Sequence, residues 1–373
     1  MTGVLMVSQP TTAGVAQCVL DWSIRLEARG WDVTVACPTN GDLSGWCRDR
    51  GLAVVEWEAE RSPLKGVRGE VVRLPPLLSA CAPDVVLLHS SKAGLSGRLA
   101  MRGRIPTVFA PHAWSFDATR GTVRAAALAW ERFAMRWTDM LLCVGDDELA
   151  HGRDCGLTGP AVIARNGVDA DELQLLVGRT RATVRRELDL GDALVVTCLG
   201  RLSQQKGQDI AIEAWRRSPV PAGWRLVLVG SGPDEVKLRK LAGGDTTIVF
   251  AGAASRAEAL AWLAAADLSV VPSRWEGMAL VPLESLAVGT PVVASNIPGL
   301  REAVTPDVGS LVPAESSEAL RTALDSWLDR SAEARLAARS SAAAAVRWHF
   351  SLERTVDEVE SALEQAMAGS VFG

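Results

Sequence analysis

Between Gly200 and Gly207 the chain reads Gly-Arg-Leu-Ser-Gln-Gln-Lys-Gly, directly after an apolar β-branched run and just before a helical pattern opening near Gln208. The carboxyl end of a strand is where open α/β sheets bind ligands. No Gly-Lys-Ser/Thr occurs in this stretch, and the spacing is not Gly-x-Gly-x-x-Gly, so it is neither a Walker A loop nor a dinucleotide fingerprint. Phosphate binding here would rest on side-chain cations. Arg201 can fork onto two phosphate oxygens and Lys206 supplies a compact charge, which together could neutralise a departing diphosphate. The bland alternative is a pair of solvated loop cations.

A second cluster runs from Ser273 through Arg274, Trp275 and Glu276 to Glu284. Pro282 suits the first turn of a short helix, Gly289 ends it and Pro291 prevents its continuation, so Glu284 is expected in the first helical turn. There it would at least complement the helix dipole. The functional alternative sets the amides after Glu276, those of Gly277, Met278, Ala279 and Leu280, against a diphosphate. The Glu284 carboxylate would then accept two hydrogen bonds from vicinal ribose hydroxyls. Glu276, eight residues upstream of Glu284, falls nearer whatever the diphosphate carries.

These loops need elements to hold them. Short β-branched runs alternate with longer helical patterns in two series, which predicts parallel sheets covered by helices on both faces. The first series has runs near 4–7, 33–37, 53–55, 85–88, 107–110, 141–144 and 161–164; the second has runs near 194–199, 226–229, 248–250, 268–271, 292–294 and 310–312. Asn166 to Gly191 carries Asn-Gly, several charges and an arginine-rich helix, and reads as the connection between the two series. Leu352, Val356, Val359, Leu363 and Met367 repeat at spacings of three and four, which predicts an amphipathic terminal helix.

At this point the chain resembles the retaining GT4-type glycosyltransferases of GT-B fold, a nucleotide-sugar-dependent family. The likeness rests on the Gly200–Gly207 loop, Glu276 with Glu284, Gly230-Ser231-Gly232-Pro233 and Asn166-Gly167-Val168-Asp169 in that family's order, together with Ala287 to Val293 and Gly299 to Glu302. In the first half Ala13-Gly14 stands where the family usually has a glycine pair, and His112 in Pro-His-Ala-Trp-Ser-Phe matches its active-site histidine. The resemblance implies an α/β fold of two Rossmann-like doubly wound domains facing across a cleft. Residues 1–168 would form the acceptor-binding domain, 169–350 the nucleotide-sugar-binding domain, and 351–373 a helix crossing back to the first. It implies that Arg201 and Lys206 bind the donor diphosphate, Glu284 the ribose, and Glu276 with His112 the donor sugar. Gly14 would lie by the phosphates, Gly230 and Gly232 would let the chain approach the nucleotide, and the region around Ala251 would line the base. The two glycines read equally well as tight turns after strands. The family reaction is a front-face displacement, so no residue is assigned as nucleophile.

The expected activity is transfer from a nucleoside-diphosphate sugar, UDP-linked by preference, to a hydroxyl acceptor with retention. His89 to Gly94 resembles a segment of bacterial enzymes that extend polyprenyl-diphosphate-linked sugars, which nominates Ser91 and Lys92 for the acceptor. A small secondary metabolite is the other acceptor class, and a UDP-sugar 2-epimerase or a non-catalytic nucleotide-sugar-binding subunit are the rival functions. Asp169-Ala170-Asp171 formally matches a metal-binding Asp-x-Asp, but the adjacent Asn-Gly-Val accounts for it as a turn, and no metal or other obligatory cofactor is expected.

Composition agrees. With 373 residues, 48% hydrophobic and 22% charged, the chain has ample core for two domains. The net charge of −5 has the wrong sign for a protein living on nucleic acid. Its seven cysteines show no metal or redox spacing and read as reduced thiols of a cytoplasmic protein. From Arg98 to Trp137, however, seven arginines face only Asp117 and Glu131, an asymmetry suited to contact with the inner face of an anionic membrane.

Overall fold

The structure, a computed structural model, describes residues 1–60, 62, 65–117, 119–218, 222–277 and 279–370. The chain forms two compact units, one of Met1–Asn166 with Leu352–Gly373 and one of Gly167–Ser351.

In the first unit the strands are β1 (Gly3–Ser8), β2 (Asp32–Cys37), β3 (Ala53–Glu56), β4 (Val85–His89), β5 (Thr107–Ala110), β6 (Met140–Cys143) and β7 (Ala161–Ile163). They pair in the order β3-β2-β1-β4-β5-β6-β7, every pair parallel. The second unit holds β8 (Leu194–Leu199), β9 (Trp224–Val229), β10 (Ile248–Gly252), β11 (Leu268–Val271), β12 (Val292–Ser295) and β13 (Gly309–Val312). Their order is β10-β9-β8-β11-β12-β13, again all parallel. Burial explains the run-like sequence pattern: Val4 to Val7 of β1 and Val85 to Leu88 of β4 are all inaccessible, as strands covered on both faces must be.

In each sheet the order reverses once, between β1 and β4 and between β8 and β11. At such a switch point the flanking connections leave toward opposite faces and open a crevice at the strands' carboxyl ends. The Gly200–Gly207 loop leaves β8 and the Ser273–Glu276 loop leaves β11. The two loops singled out by their chemistry therefore share one switch point.

The arginine-rich helix Arg181–Glu187 belongs to the second unit and has a structural task. Arg185 donates to the carbonyl of Ala265, and Arg339 to those of Ala264 and Ala266, at the end of the helix Arg256–Ala265. Cations there oppose the negative end of the helix dipole. Burial pushes the Arg339 guanidinium down to about 10.

The terminal helix Leu352–Ser370 packs within the first unit, with Leu352, Val356, Val359, Ala362 and Leu363 buried. Its acidic edge meets Arg29, which pairs with Glu353, Asp357 and Glu360 at 2.8, 2.8 and 2.9 Å. The Trp31 indole N–H also donates to Glu360, at 2.8 Å.

One expectation is corrected. The helix carrying Glu284 spans Leu280–Ala287, with no acid in its first turn, so Glu284 sits in the second. Ala279 is the extended cap residue, which starts the helix two residues before Pro282. Proline tolerates this because the N–H it lacks is among those left unpaired at any helix start.

Candidate active site

In the second unit, Lys206 Nζ lies 2.6 Å from Glu276 Oε1, and the Ser273 hydroxyl donates to the same oxygen at 2.7 Å. Gln205 Nε2 donates to the Trp275 carbonyl at 3.1 Å, tying the loops together a second time. Glu276 is thus held in place, with its charge balanced by Lys206. Arg201 is exposed, and its guanidinium has no partner among the described residues.

Arg274 braces the assembly, a role that sequence spacing did not suggest. It forks onto Asp209 at 2.9 and 2.8 Å and donates to the Gln204 carbonyl at 2.7 Å. The Asp209 hydrogen bond raises the Arg274 pKa, keeping the fork charged.

Glu284 is buried and accepts from Arg256 Nη1 at 2.7 Å. Arg256 was also missed. It opens a helix whose capping box, Ser255 with Glu258, was legible as Ser-x-x-Glu and would have placed Arg256 at a helix start.

Gly230 has φ of +137°, and a Cβ there would stand 2.1 Å from the Gly200 carbonyl oxygen; at Gly232 it would stand 2.3 Å from that of Leu202. These glycines let two backbone segments pack together beneath Arg201. Ala251 is exposed where the β10 pairing slips between Phe250 and Gly252, a bulge at the strand's carboxyl end. Gly277, Ala279 and Leu280 lead into the helix Leu280–Ala287, whose cap residue makes no side-chain bond to the first amides. Met278 lies outside the described residues.

In the first unit, β4 ends on His89 at the switch point, and His112 follows β5. His89 Nδ1 lies 3.0 Å from His112 Nε2, the two rings meet edge to edge with centroids 5.3 Å and planes 17° apart, and Trp22 packs against both. Burial lowers the His112 pKa from 6.5 to about 4, and burial followed by the neighbouring His112 lowers that of His89 well below 6.5. His112 and Ala113 both have positive φ, at 54° and 136°. Gly14 is exposed in the first turn of the helix Ala13–Ala28. Ala13 adopts φ of +62°, so the left-handed turn persists where a side chain replaces hydrogen.

Ser91 is half-buried near the start of the helix Ser90–Met101. Lys92 turns inward: its ammonium donates to the carbonyls of Ser62 at 2.7 Å and Lys65 at 2.5 Å and pairs with Glu70 at 3.1 Å. Asp169 caps the helix Ala170–Val177 by accepting from the amides of Asp171 and Glu172, and Asp171 pairs with Arg347 at 2.6 Å. Among the described residues no three His, Cys, Asp or Glu side chains gather as a metal site.

Two doubly wound parallel units, one presenting cations and braced acids at its switch point, define the GT-B class of α/β transferases. The comparisons agree. The glycosyl transferases group 1 model matches residues 180–345, and the glycosyltransferase family 4 model matches residues 12–172. The D-inositol 3-phosphate glycosyltransferase of Acidothermus cellulolyticus is 30% identical over 76% of this chain and 68% of its own. The Escherichia coli UDP-Gal:alpha-D-GlcNAc-diphosphoundecaprenol alpha-1,3-galactosyltransferase is 28% identical over 78% of each chain. The crystal structure of Anabaena HepE in complex with UDP and glucose superposes with a TM-score of 0.81 at 20% identity, covering 98% of this chain and 100% of that one. The chain belongs to the GT4-type glycosyltransferases of GT-B fold, and it is an enzyme.

Proposed function

We propose that the second unit binds a nucleoside-diphosphate sugar, UDP-linked by preference, and that the enzyme transfers the sugar with retention to a hydroxyl acceptor served by the first unit. One observation carries the reading: the loops after β8 and β11 place Arg201, Lys206 and the braced Glu276 at a single switch point. The open Arg201 fork takes diphosphate oxygens. Lys206, already on Glu276, then bridges that carboxylate to the diphosphate. The Glu284 carboxylate, with Arg256 on one oxygen, receives the ribose hydroxyls.

In the transfer step the bond from the anomeric carbon to the diphosphate oxygen breaks while that to the acceptor oxygen forms on the same face. The departing diphosphate accepts the acceptor's proton, its charge stabilised by Arg201 and Lys206. Glu276 stabilises positive charge on the sugar, and His112 contacts it. Gly14, Gly277, Ala279 and Leu280 supply backbone near phosphate, and Ala251 lines the base. The E. coli relative's named donor and lipid-diphosphate acceptor support a UDP-sugar and a polyprenyl-diphosphate-linked saccharide for this chain. Exposed arginines of the segment 98–137 would bring such an acceptor's membrane close.

A thermal-shift panel of UDP, GDP, ADP and dTDP sugars tests the donor, since a ligand at 100 times its Kd stabilises by about 2.7 kcal/mol. UDP sugars should dominate. Glu284→Ala should weaken donor binding, whereas Glu276→Ala should lower kcat more than affinity, by roughly 100-fold for a lost charge-stabilising group. Wild-type turnover in Glu276→Ala, or an inverted product anomer by NMR, would refute the assignment.

A further inference from the structure

The two histidines pose a proton-counting problem that their geometry resolves. His89 is wholly inaccessible, its Nδ1 faces His112 Nε2 at 3.0 Å, and its Nε2 has no hydrogen-bond partner among the described residues. Two neutral rings share one hydrogen bond, so one must donate and the other accept. If His112 Nε2 donated, His89 would carry its only proton on Nε2, burying an N–H with nothing to receive it. If His89 Nδ1 donates, only a lone pair is left unmatched. Buried N–H groups are orphaned more rarely than acceptors in folded proteins.

We propose that His89 is a positioning residue that donates from Nδ1 to His112 Nε2, fixing His112 in its Nδ1–H tautomer so that this N–H is offered to an acceptor oxygen of the transferred sugar. The arrangement is built to hold. His89 is the last residue of β4 and its ring is wedged against Trp22, with centroids 5.4 Å apart. Trp22 is itself buried on the helix Ala13–Ala28. His112 holds a positive φ of 54°, a strain expected where a side chain must be aimed. Its Nδ1 has no hydrogen-bond partner among the described residues, and the ring is half-buried. Burial keeps both rings neutral near pH 7, as a donor–acceptor pair requires.

The use of this N–H rests on the proposed contact between His112 and the sugar, whereas the tautomer does not. Nitrogen-15 NMR of histidine-labelled, ligand-free enzyme should show His112 with a protonated Nδ1 and an unprotonated Nε2. The reverse pattern would overturn the proposal. His89→Asn keeps an amide N–H near the position of Nδ1 and should preserve both the tautomer and, within about 3-fold, kcat/KM. His89→Leu should mix the tautomers and lower kcat/KM by roughly 10-fold or more, as loss of a group that orients an active-site histidine does. A His89→Leu enzyme as active as wild type, with His112→Ala impaired, would also overturn it. Wild-type activity in His112→Ala would instead remove the sugar contact, and with it the catalytic half of the proposal, while the ring spectra report the tautomer independently.

Discussion

Ala13 stands in a left-handed conformation that costs a residue with a side chain about 1–2 kcal/mol. Glycine would relieve that strain but lose more entropy on folding, by up to about 1 kcal/mol. Ala13→Gly should therefore stabilise the first unit by roughly 0.5–1 kcal/mol, raising Tm by about 1–4 °C in a calorimetric scan. A lower Tm would show that the strain is absent. The histidine pair predicts a pH dependence of definite sign. Both folded pKa values lie below the ordinary 6.5, so above that pH the rings are neutral in either state and their contribution is fully present. As pH falls from 6.5 toward 4 the unfolded chain takes up protons that the folded rings refuse, and stability is lost by at most about 1.4 kcal/mol per pH unit for each ring. Urea unfolding from pH 7.5 to 4.5 should show a shallower acid slope for His89→Asn and for His112→Asn than for wild type. Equal slopes would mean that the rings titrate normally.

At the scale of elements, the sequence made the strands legible because parallel strands buried on both faces appear as unbroken apolar runs, and each expected run corresponds to a strand of the two sheets. The loop chemistry was legible for a similar local reason, since strand, polar loop and helix follow one another in the chain. The ion pairs were not. Arg256 reaches Glu284 across 28 residues and Arg274 reaches Asp209 across 65, separations with no periodic signature. Lys92 looked like a site cation for the same reason, because its carbonyl partners at Ser62 and Lys65 belong to another segment. The terminal helix shows how much such distant pairing can weigh. Its buried apolar residues are worth roughly 5–10 kcal/mol as an upper estimate, comparable to the whole stability of a domain. A chain ending at Ser351 should therefore fail to fold its first unit and lose the corresponding calorimetric transition. The milder Val359→Ala should lower stability by roughly 1–3 kcal/mol. A truncated chain retaining both transitions would mean that the helix is dispensable.

For the whole molecule, the distribution of charge matters more than its sum. The chain carries −5 overall, yet the segment from Arg98 to Trp137 has an excess of five positive charges. The interior takes one charge of each sign from that segment: Arg98 pairs with Glu131 at 2.7 Å, both fully buried, with the guanidinium over the Phe109 ring at 4.0 Å. Arg102, Arg104, Arg120, Arg124, Arg132 and Arg136 are exposed, and Val123 and Phe133 are 52% and 43% exposed on the helix Gly121–Ala134. Among the described residues no helix is long and apolar enough to cross a membrane. Each arginine close to an anionic bilayer contributes about 1 kcal/mol, and the attraction fades as salt shortens the Debye length from ~10 Å at 0.1 M to ~3 Å at 1 M. The enzyme should cosediment with vesicles containing phosphatidylglycerol at low salt and be released at high salt. It should ignore pure phosphatidylcholine. Reversing Arg120, Arg124 and Arg136 to Glu should weaken vesicle binding by roughly 100-fold or more, from several kcal/mol of lost attraction, without altering turnover of a water-soluble acceptor. Equal binding to neutral and anionic vesicles, or none to either, would assign these arginines to solubility alone.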